Sequence, residues 1–265
     1  MKTISSRDNA FYKELKGLAT SSQARRKAGQ SLLDGVHLCQ SWLDLNGAPL
    51  HCVVSEGALA NPEVGAIVAR CEAAGLESAP VTALPDALFG AISQVEHGVN
   101  LVFVIETPRP RQPELLTQSA VLLDGVQDPG NVGSILRSTG AAGIKQVYCS
   151  AGTAFCWSPK VLRAAMGAHF VLEIFENVDL PALVRGAQVP VLATSGYASE
   201  RLYDIDLRQP AAWVLGHEGQ GVSSELLDLA SRRVAVPHAG QVESLNVAAC
   251  AAVCFFEQLR QQQQG

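Results

Sequence analysis

The residues best suited to chemistry lie in three segments of the second half of the chain, and each segment is an apolar run that breaks at Gly or Pro. The segments are LLDGVQDPGNVGSILRSTGAAG (122–143), WVLGHEGQGV (213–222) and VAVPHAGQVESLNVAAC (234–250). The apolar runs predict β-strands, and polar side chains follow each break. An α/β sheet builds ligand sites in this way, at the carboxyl ends of its strands. We therefore expect the three breaks to meet in a single site.

The first segment combines a tight turn with a candidate anion binder. Pro129 and Gly130 turn the chain out of the strand, and we expect the next helix to begin near Asn131, a good N-cap residue. Arg137 falls on the face of that helix away from the core. Its guanidinium could hold a phosphate through two hydrogen bonds or form a surface salt bridge. The segment lacks both GK[ST] and GxGxxG, which disfavours a phosphate-loop ATPase and an ordinary Rossmann site.

Glycines surround the ionisable residues of the second segment, and such a loop leaves backbone groups free to bind a planar ring. Glu218 could be a general base, an orienting hydrogen-bond acceptor, or a charge that favours the dipole of the following helix. His217 is either a loop residue or a ligand. In the third segment Ser244 suits the N-cap of a last helix predicted over 244–259. Asn246, in its first turn, could bind a neighbouring loop or a substrate hydroxyl.

The elements that position these breaks alternate between strands and helices. In the second half the sequence predicts strands at 120–124, 146–149, 171–175, 189–194, 212–215 and 233–236, with helices between them. In the first half it predicts helices at 7–20, 36–45 and 63–73 and strands at SLLD, HCVV and LVFVI. The last helix is apolar almost all round and rich in alanine, so we expect it to be buried. We expect the glutamines at 261–264 to be a frayed tail.

A proline-rich stretch, TPRPRQPELLTQS at 107–119, can enter neither a helix interior nor a central strand. We take it as a linker between a small α/β domain at 1–106 and a second α/β domain at 120–265. The first domain shows no catalytic constellation, so we expect it to bind a partner.

Composition limits the class of protein. The chain has 265 residues, 48% of them hydrophobic and 17% charged, which is enough for a sizeable core. It has neither an apolar run long enough to cross a bilayer nor the start of a signal peptide, so we expect a cytoplasmic protein with no membrane partner. The cysteines form no CxxC pair, and Cys250 and Cys254, one helical turn apart, have no partners at ligand spacing. We expect reduced thiols and no metal site.

The formal net charge of −5 argues weakly against a nucleic-acid partner, but the charge is unevenly distributed. Within residues 1–30, Asp8 and Glu14 are outnumbered by the basic residues Lys2, Arg7, Lys13, Lys16, Arg25, Arg26 and Lys27. Such a basic arm could bind phosphates, or it could be the solvated face of an ordinary amphipathic helix. Charge alone leaves both interpretations open.

Together the three segments resemble the signature motifs of the SPOUT superfamily, specifically the TrmH (SpoU) family of RNA ribose 2′-O-methyltransferases, over roughly residues 120–260. The matching residues are Asn131, Gly133 and Arg137 in the first motif, Leu215, Gly216, Glu218, Gly219 and Gly221 in the second, and Pro237, Gly240, Ser244, Leu245, Asn246 and Val247 in the third. The chain departs from the family at His217, where Asn is usual, at His238, where Met is frequent, and at Ala165, where many members carry Ser. The front domain is similar to ribosomal protein L30e/L7Ae, mainly through LLDGVHLCQSWL (32–43).

This resemblance implies an α/β fold with a parallel sheet and a deep trefoil knot, which is an exception to the general rule against knots. It implies S-adenosylmethionine as methyl donor, a ribose 2′-hydroxyl as nucleophile, and a homodimer with the last helix near the interface. The backbone groups expected to hold the cofactor surround Thr194, Gly216, Val236 and Leu245.

The resemblance also implies roles for the polar residues. Arg137 should hold an RNA phosphate or ribose near the hydroxyl, as an orienting group first, because a guanidinium rarely gives up its proton. Asn131, Ser244 and Asn246 should fix Arg137 and the ribose. Proton removal would involve the substrate phosphate or Glu218.

The L30e-like front domain favours ribosomal RNA, specifically 23S rRNA, over transfer RNA as the substrate, because ribosomal protein-like domains recognise structured RNA. Three alternatives remain at this point. They are methylation of a base, as in other SPOUT branches, a non-catalytic RNA-binding module, and a phosphate-binding metabolic enzyme.

Overall fold

The structure is a computed structural model that describes residues 1–75, 79–93, 95, 98–240 and 244–264. Residues 241–243, which belong to the third predicted segment, lie outside the described residues. The strands are β1 (Lys2–Thr3), β2 (Gln30–Asp34), β3 (His51–Ser55), β4 (Val81–Leu84), β5 (Leu101–Glu106), β6 (Ala120–Asp124), β7 (Gln146–Cys149), β8 (Glu173–Glu176), β9 (Val191–Thr194), β10 (Glu200–Arg201), β11 (Ala212–Gly216) and β12 (Arg232–Ala235). The α-helices are α1 (Ala10–Thr20), α2 (Ser22–Ala28), α3 (Val36–Leu45), α4 (Pro62–Ala73), α5 (Asp86–Phe89), α6 (Pro129–Ala141), α7 (Pro159–Ala165), α8 (Leu180–Arg185), α9 (Ser224–Leu229) and α10 (Val247–Gln264).

The chain divides into two compact units. One consists of Met1–Pro108 and Trp157–Phe170, and the other of Arg109–Cys156 and Val171–Gly265. Within the proline-rich stretch at 107–119, Leu116 is fully buried in the core of the second unit.

The first unit contains a mixed sheet with strand order β1-β4-β3-β5-β2, in which β5 runs antiparallel to both of its neighbours. The N-cap decides where its first helix begins. The Asn9 side chain accepts hydrogen bonds from the backbone N–H groups of Phe11 and Tyr12 at 2.9 and 3.3 Å. Helix α1 therefore begins at Ala10, three residues later than the sequence predicts.

Helix α2, which the sequence does not predict, buries one of the residues assigned to the basic arm. Arg25 is only 5% exposed, and its Nη1 donates to the carbonyl oxygens of Leu18 and Ala19. Desolvation by burial lowers the pKa of this guanidinium. The prediction that Arg25 belongs to an exposed arm is wrong, whereas Lys2, Arg7, Lys13, Lys16, Arg26 and Lys27 are exposed.

The chain returns to the first unit at residues 157–170, which the predicted boundaries do not include. Helix α7 packs against β2 and buries Val161, Leu162 and Ala165. The ring of Phe170 meets that of Trp42 edge-on, with centroids 5.4 Å apart. Apolar contacts made far apart along the chain place this segment.

The second unit contains a seven-stranded sheet of described strands in the order β10-β12-β9-β11-β6-β7-β8, and all of its pairings are parallel. The central strands β6, β7 and β11 are buried on both faces, as the unbroken apolar runs of a parallel sheet require. The register pairs Gly216 with Asp124 and Thr194 with Val234. The carboxyl ends of β6, β9, β11 and β12 therefore lie at one edge of the sheet, and the predicted α/β fold with a parallel sheet is confirmed.

The last helix differs from its prediction in three ways. Helix α10 begins at Val247 rather than 244 and continues through the glutamine run that was expected to fray. Gln261 is held in place, since its side chain donates to the Ile205 carbonyl at 3.1 Å and accepts from the Leu207 N–H at 2.8 Å. The helix is not buried all round either, because Phe256 is 47% exposed.

A buried amide fastens α10 to the sheet. Gln258 is 2% exposed, accepts from the Trp213 indole N–H at 2.7 Å and donates to the Ser119 hydroxyl at 3.2 Å. We expect Gln258→Ala to lower the free energy of unfolding by about 1–3 kcal/mol, because it leaves the buried indole N–H without an acceptor. Thermal unfolding followed by circular dichroism measures this. The exposed Gln263→Ala is the control, and an equal loss in both variants would contradict the expectation.

Among the described residues, no helix is long and apolar enough to cross a membrane. The cysteines of that part of the chain are free thiols, and all but Cys250 are buried. No cluster of potential metal ligands occurs among the residues that the structure describes.

Candidate active site

The N-terminus of α6 is capped by Asp128, and the prediction that Asn131 is the cap is wrong. The Asp128 side chain accepts from the backbone N–H of Asn131 at 2.9 Å, and Pro129 occupies the first turn, where a missing N–H costs nothing. The Asn131 side chain is therefore free to face the next loop of the site.

Glu218 receives hydrogen bonds from this same helix start. One carboxylate oxygen accepts from the backbone N–H of Asp128 and from Asn131 Nδ2, both at 3.0 Å. The other accepts from the backbone N–H of Gln127 at 3.1 Å. The negative charge thus lies at the N-terminus of α6 rather than at the helix that follows Glu218 in sequence.

These bonds set the protonation state of Glu218. Partial burial raises the pKa of the carboxyl, but the bonds from Asn131, Asp128 and Gln127 outweigh burial and lower the pKa to about 2. Glu218 is therefore ionised at neutral pH, and its oxygens are occupied by donors. An acceptor in this state orients its partners and is a poor general base.

Asn246 links the third segment to the other two. Its Nδ2 donates to Asn131 Oδ1 at 2.9 Å, while its own Oδ1 accepts from the backbone N–H groups of Ala248 and Ala249 at 2.9 and 3.3 Å. Asn246 is therefore the N-cap of α10, and the prediction that Ser244 has this role is wrong. Ser244 is exposed and makes no hydrogen bond to the described residues.

The chain of side chains Glu218–Asn131–Asn246 has one consistent direction. An ionised carboxylate only accepts, so the Asn131 amide must present its NH2 to Glu218 and its oxygen to Asn246. The helix amides in turn require the oxygen of Asn246. The three predicted breaks therefore meet at one place, as the sequence indicates.

Arg137 is exposed on α6, as predicted. Its side chain makes no ion pair or hydrogen bond with the part of the chain that the structure describes, so the surface salt bridge is not observed. It lies six residues after Asn131, or about 9 Å along the helix axis, and helical side chains lean towards the N-terminus. The guanidinium is thus exposed to solvent and available to a ligand at the surface of α6.

Of the residues expected to hold a cofactor, three lie at the same sheet edge and the fourth lies just before α10. Thr194 ends β9 and donates its hydroxyl to the Val214 carbonyl at 3.1 Å, and Gly216 ends β11. Val236 directly follows β12 and is half-buried, and Leu245 is 38% exposed just before α10. No hydrogen bond within the described part of the chain joins them to the Glu218–Asn131–Asn246 chain.

The loop after β11 folds back on itself so tightly that only glycine fits at its base. His217 and Gly221 exchange backbone hydrogen bonds of 3.0 and 2.8 Å, and a Cβ at Gly216 would lie 2.1 Å from the backbone of Gly221. We expect Gly216→Ala to cost about 1–3 kcal/mol or more, because backbone atoms cannot yield to the added methyl. A melting curve tests this against Gly219→Ala, where the nearest atoms are an ordinary 3.7 Å away. Equal stability of the two variants would contradict the steric argument.

Sequence reasoning missed several supports of the site. Asp124 at the end of β6 accepts from the Ser223 N–H at 2.8 Å and ties the loop after β11 to β6. Asp128 could have been found, because Asp before Pro is a helix-start signal. The backbone N–H groups that bind Glu218 carry no sequence signal, since any residue supplies them.

Comparison with known proteins assigns the family. Residues 118–256 match the family described as SpoU rRNA Methylase. This chain belongs to the SpoU rRNA methylase family. Among the relatives of this SpoU protein, one named as an uncharacterized tRNA/rRNA methyltransferase of Synechocystis is 32% identical, over 98% of this chain and 94% of its own.

Two further relatives match nearly the whole SpoU chain. The Bacillus subtilis protein named 23S rRNA (guanosine(2553)-2′-O)-methyltransferase RlmP is 31% identical, over 97% of this chain and 98% of its own. The AdoMet-bound rRNA methyltransferase of Sinorhizobium meliloti has a TM-score of 0.83 at 26% identity, over 98% of this chain and 97% of its own. The resemblance to the TrmH (SpoU) family is thereby confirmed.

Proposed function

We propose that this protein methylates the 2′-oxygen of a ribose in 23S ribosomal RNA, with S-adenosylmethionine as methyl donor. The observation that carries the proposal is the Glu218–Asn131–Asn246 chain, which joins all three family motifs at the carboxyl edge of the sheet. A relative that aligns over nearly the whole chain is named for this reaction on 23S rRNA.

The residues at the sheet edge fit the proposed methyl donor. Leu245, 38% exposed, and the half-buried Val236 offer apolar surface to an adenine, and the tight loop after Gly216 brings backbone within reach of a ligand. When bound, S-adenosylmethionine supplies a methyl group activated by its positive sulfur. With Thr194, these residues bind and orient it and exclude water.

The polar residues orient the nucleophile. Arg137, exposed and without a protein partner among the described residues, holds an RNA phosphate or the ribose beside the 2′-hydroxyl. Asn131 and Asn246 keep the site in shape, and Ser244 completes the polar surface around the ribose. Positioning of this kind supplies much of the rate enhancement of a transfer reaction. The hydroxyl proton passes to a phosphate oxygen of the substrate, because the oxygens of Glu218 are already occupied by protein donors.

The first unit is proposed to bind the RNA, in the manner of an L30e-like domain. Exposed cations support this, since Lys2, Arg7, Lys16 and Lys27 form no ion pair with the described residues. Cations in this state can exchange counterions for phosphates.

The protein is proposed to act as a homodimer. The exposed apolar face of α10 supports this, because Phe256 is 47% exposed on a helix rich in alanine. We expect sedimentation equilibrium at micromolar concentration to give twice the 28.0 kDa chain mass. A monomer that methylates RNA at the full rate would contradict the proposal.

The knot implied by the family is also proposed for this chain. The strand order supports it, because β12 lies between β9 and β10 although these two follow one another in sequence. Contacts of Gln261 with Ile205 and Leu207 hold α10 beside the connection between β10 and β11. With β12 between them, the connection from β9 to β10 has to cross the position of β12, and crossings of this kind are what a knotted fold contains and most folds avoid.

Mapping ribose methylation across the RNA of cells that lack the protein tests the proposed function. We expect one 2′-O-methyl group to disappear from 23S rRNA and to return when the gene is restored. Loss of a tRNA ribose methyl group would move the substrate to tRNA, and an unchanged methylation map would contradict the proposal.

A further inference from the structure

The side chain of His217 forms its hydrogen bonds within its own loop. Its Nδ1 accepts from the backbone N–H groups of Gly219 and Gln220, at 2.9 and 3.2 Å. An acceptor nitrogen carries no proton, so these two bonds place the ring proton on Nε2. The ring is half-buried, and a Cβ at Gly219 would lie 3.7 Å from it.

These two bonds fix the tip of the loop that carries Glu218. The backbone pairing of His217 with Gly221 closes the loop at its base but leaves residues 218–220 outside the pairing. The ring supplies the acceptor for the two N–H groups of the tip. The two hydrogen bonds that the ring accepts therefore determine the direction in which the Glu218 side chain points from the loop.

We infer that His217 is a positioning residue, whose ring holds the loop in the shape that lets Glu218 reach Gln127, Asp128 and Asn131. The inference rests on the proposed function for its effect on methyl transfer, but not for its effect on the loop. Asparagine can do the same work, since its Oδ1 is an acceptor at the same distance from the backbone as Nδ1 and binds N–H groups two or three residues on. This explains how His217 can replace the asparagine that is usual there.

The test compares His217→Asn with His217→Ala, with Arg185→Ala, an exposed position of the same unit outside the site, as the control. Exchange of the Gly219 and Gln220 amide protons is measured by NMR, alongside kcat and KM for RNA. We expect His217→Ala to lose the protection of both amides and about tenfold in kcat, the equivalent of two modest hydrogen bonds. His217→Asn should keep both, and Arg185→Ala should match the wild type.

Two results would overturn the inference: protected amides and full activity in His217→Ala, or a loss in His217→Asn as large as in His217→Ala. Should His217→Ala fail to fold, the nitrogen resonances of the wild-type ring decide, because a protonated Nδ1 is incompatible with the two bonds. If the wild type itself transfers no methyl group to RNA, the proposed function fails, and the exchange data still decide the role of His217.

Discussion

Replacing Arg137 with alanine should remove most of the methyl transfer activity and leave the fold and the affinity for S-adenosylmethionine unchanged. The side chain is exposed and makes no bond with the described residues, so its loss should change stability by no more than about 0.5 kcal/mol. Its proposed role is to hold charge on the substrate, and loss of such a contact typically costs about 10²–10³-fold in kcat. Transfer of a labelled methyl group to 23S rRNA measures the rate, and calorimetry measures cofactor affinity.

Two variants sharpen the Arg137 experiment. Arg137→Lys keeps the charge but loses the planar fork, so we expect activity between those of the wild type and Arg137→Ala. Arg185→Ala removes an exposed arginine that is paired with Glu225 in the same unit, and should leave activity unchanged. Full methylation by a folded Arg137→Ala protein would refute the assigned role.

Replacing Glu218 with glutamine should lower both the stability of the protein and its methyl transfer activity. It should also change how stability depends on pH. A glutamine side chain presents an NH2 where the carboxylate now faces an N–H donor, so at least one bond becomes a repulsion. We expect a loss of about 1–3 kcal/mol in stability. Activity should fall about 10–100-fold, the equivalent of that loss, because Asn131 and Asn246 lose their anchor.

The dependence of the free energy of unfolding on pH provides a test that is specific to Glu218. Its pKa is lowered from 4.5 to about 2 on folding, so its contribution to stability is present above pH 4.5 and is lost as the pH falls towards 2. Denaturant titrations of the wild type and Glu218→Gln across this range should converge as the pH falls. The exposed Glu225→Gln is the control, and a constant gap between wild type and Glu218→Gln at every pH would contradict the assignment.

Most elements of the fold follow from local patterns, whereas their ends follow from contacts that no local pattern shows. Strands β6 and β7 and helix α3 lie where the apolar pattern predicts them. A strand buried on both faces has an unbroken apolar run, and a helix buried along one stripe has apolar residues at a helical period. Helix starts are misplaced where two good caps stand close together. Asp128 rather than Asn131 caps α6, and Asn246 rather than Ser244 caps α10. In each pair both residue types suit a cap, and local sequence does not show which of them is used.

The sequence predicts that the site residues come together, but it does not predict which hydrogen bonds join them. Parallel strands must place their carboxyl ends at one edge, which brings Asn131, Glu218 and Asn246 together. The order of the bonds among them, and the use of Glu218 as an acceptor for backbone N–H groups, depends on loop conformation. The return of residues 157–170 to the first unit depends on packing such as that of Phe170 on Trp42. The periodicity of the sequence does not predict such contacts.

The most direct measurement is the position of the methyl group in the product. Purified protein is incubated with unmodified 23S rRNA and labelled S-adenosylmethionine, and the RNA is digested with nucleases and analysed by mass spectrometry. The convergence of three sheet-edge loops on a ribose hydroxyl predicts one labelled 2′-O-methyl nucleoside, which also resists alkaline cleavage. A label on a base, or none with a folded protein that binds the methyl donor, would contradict the account.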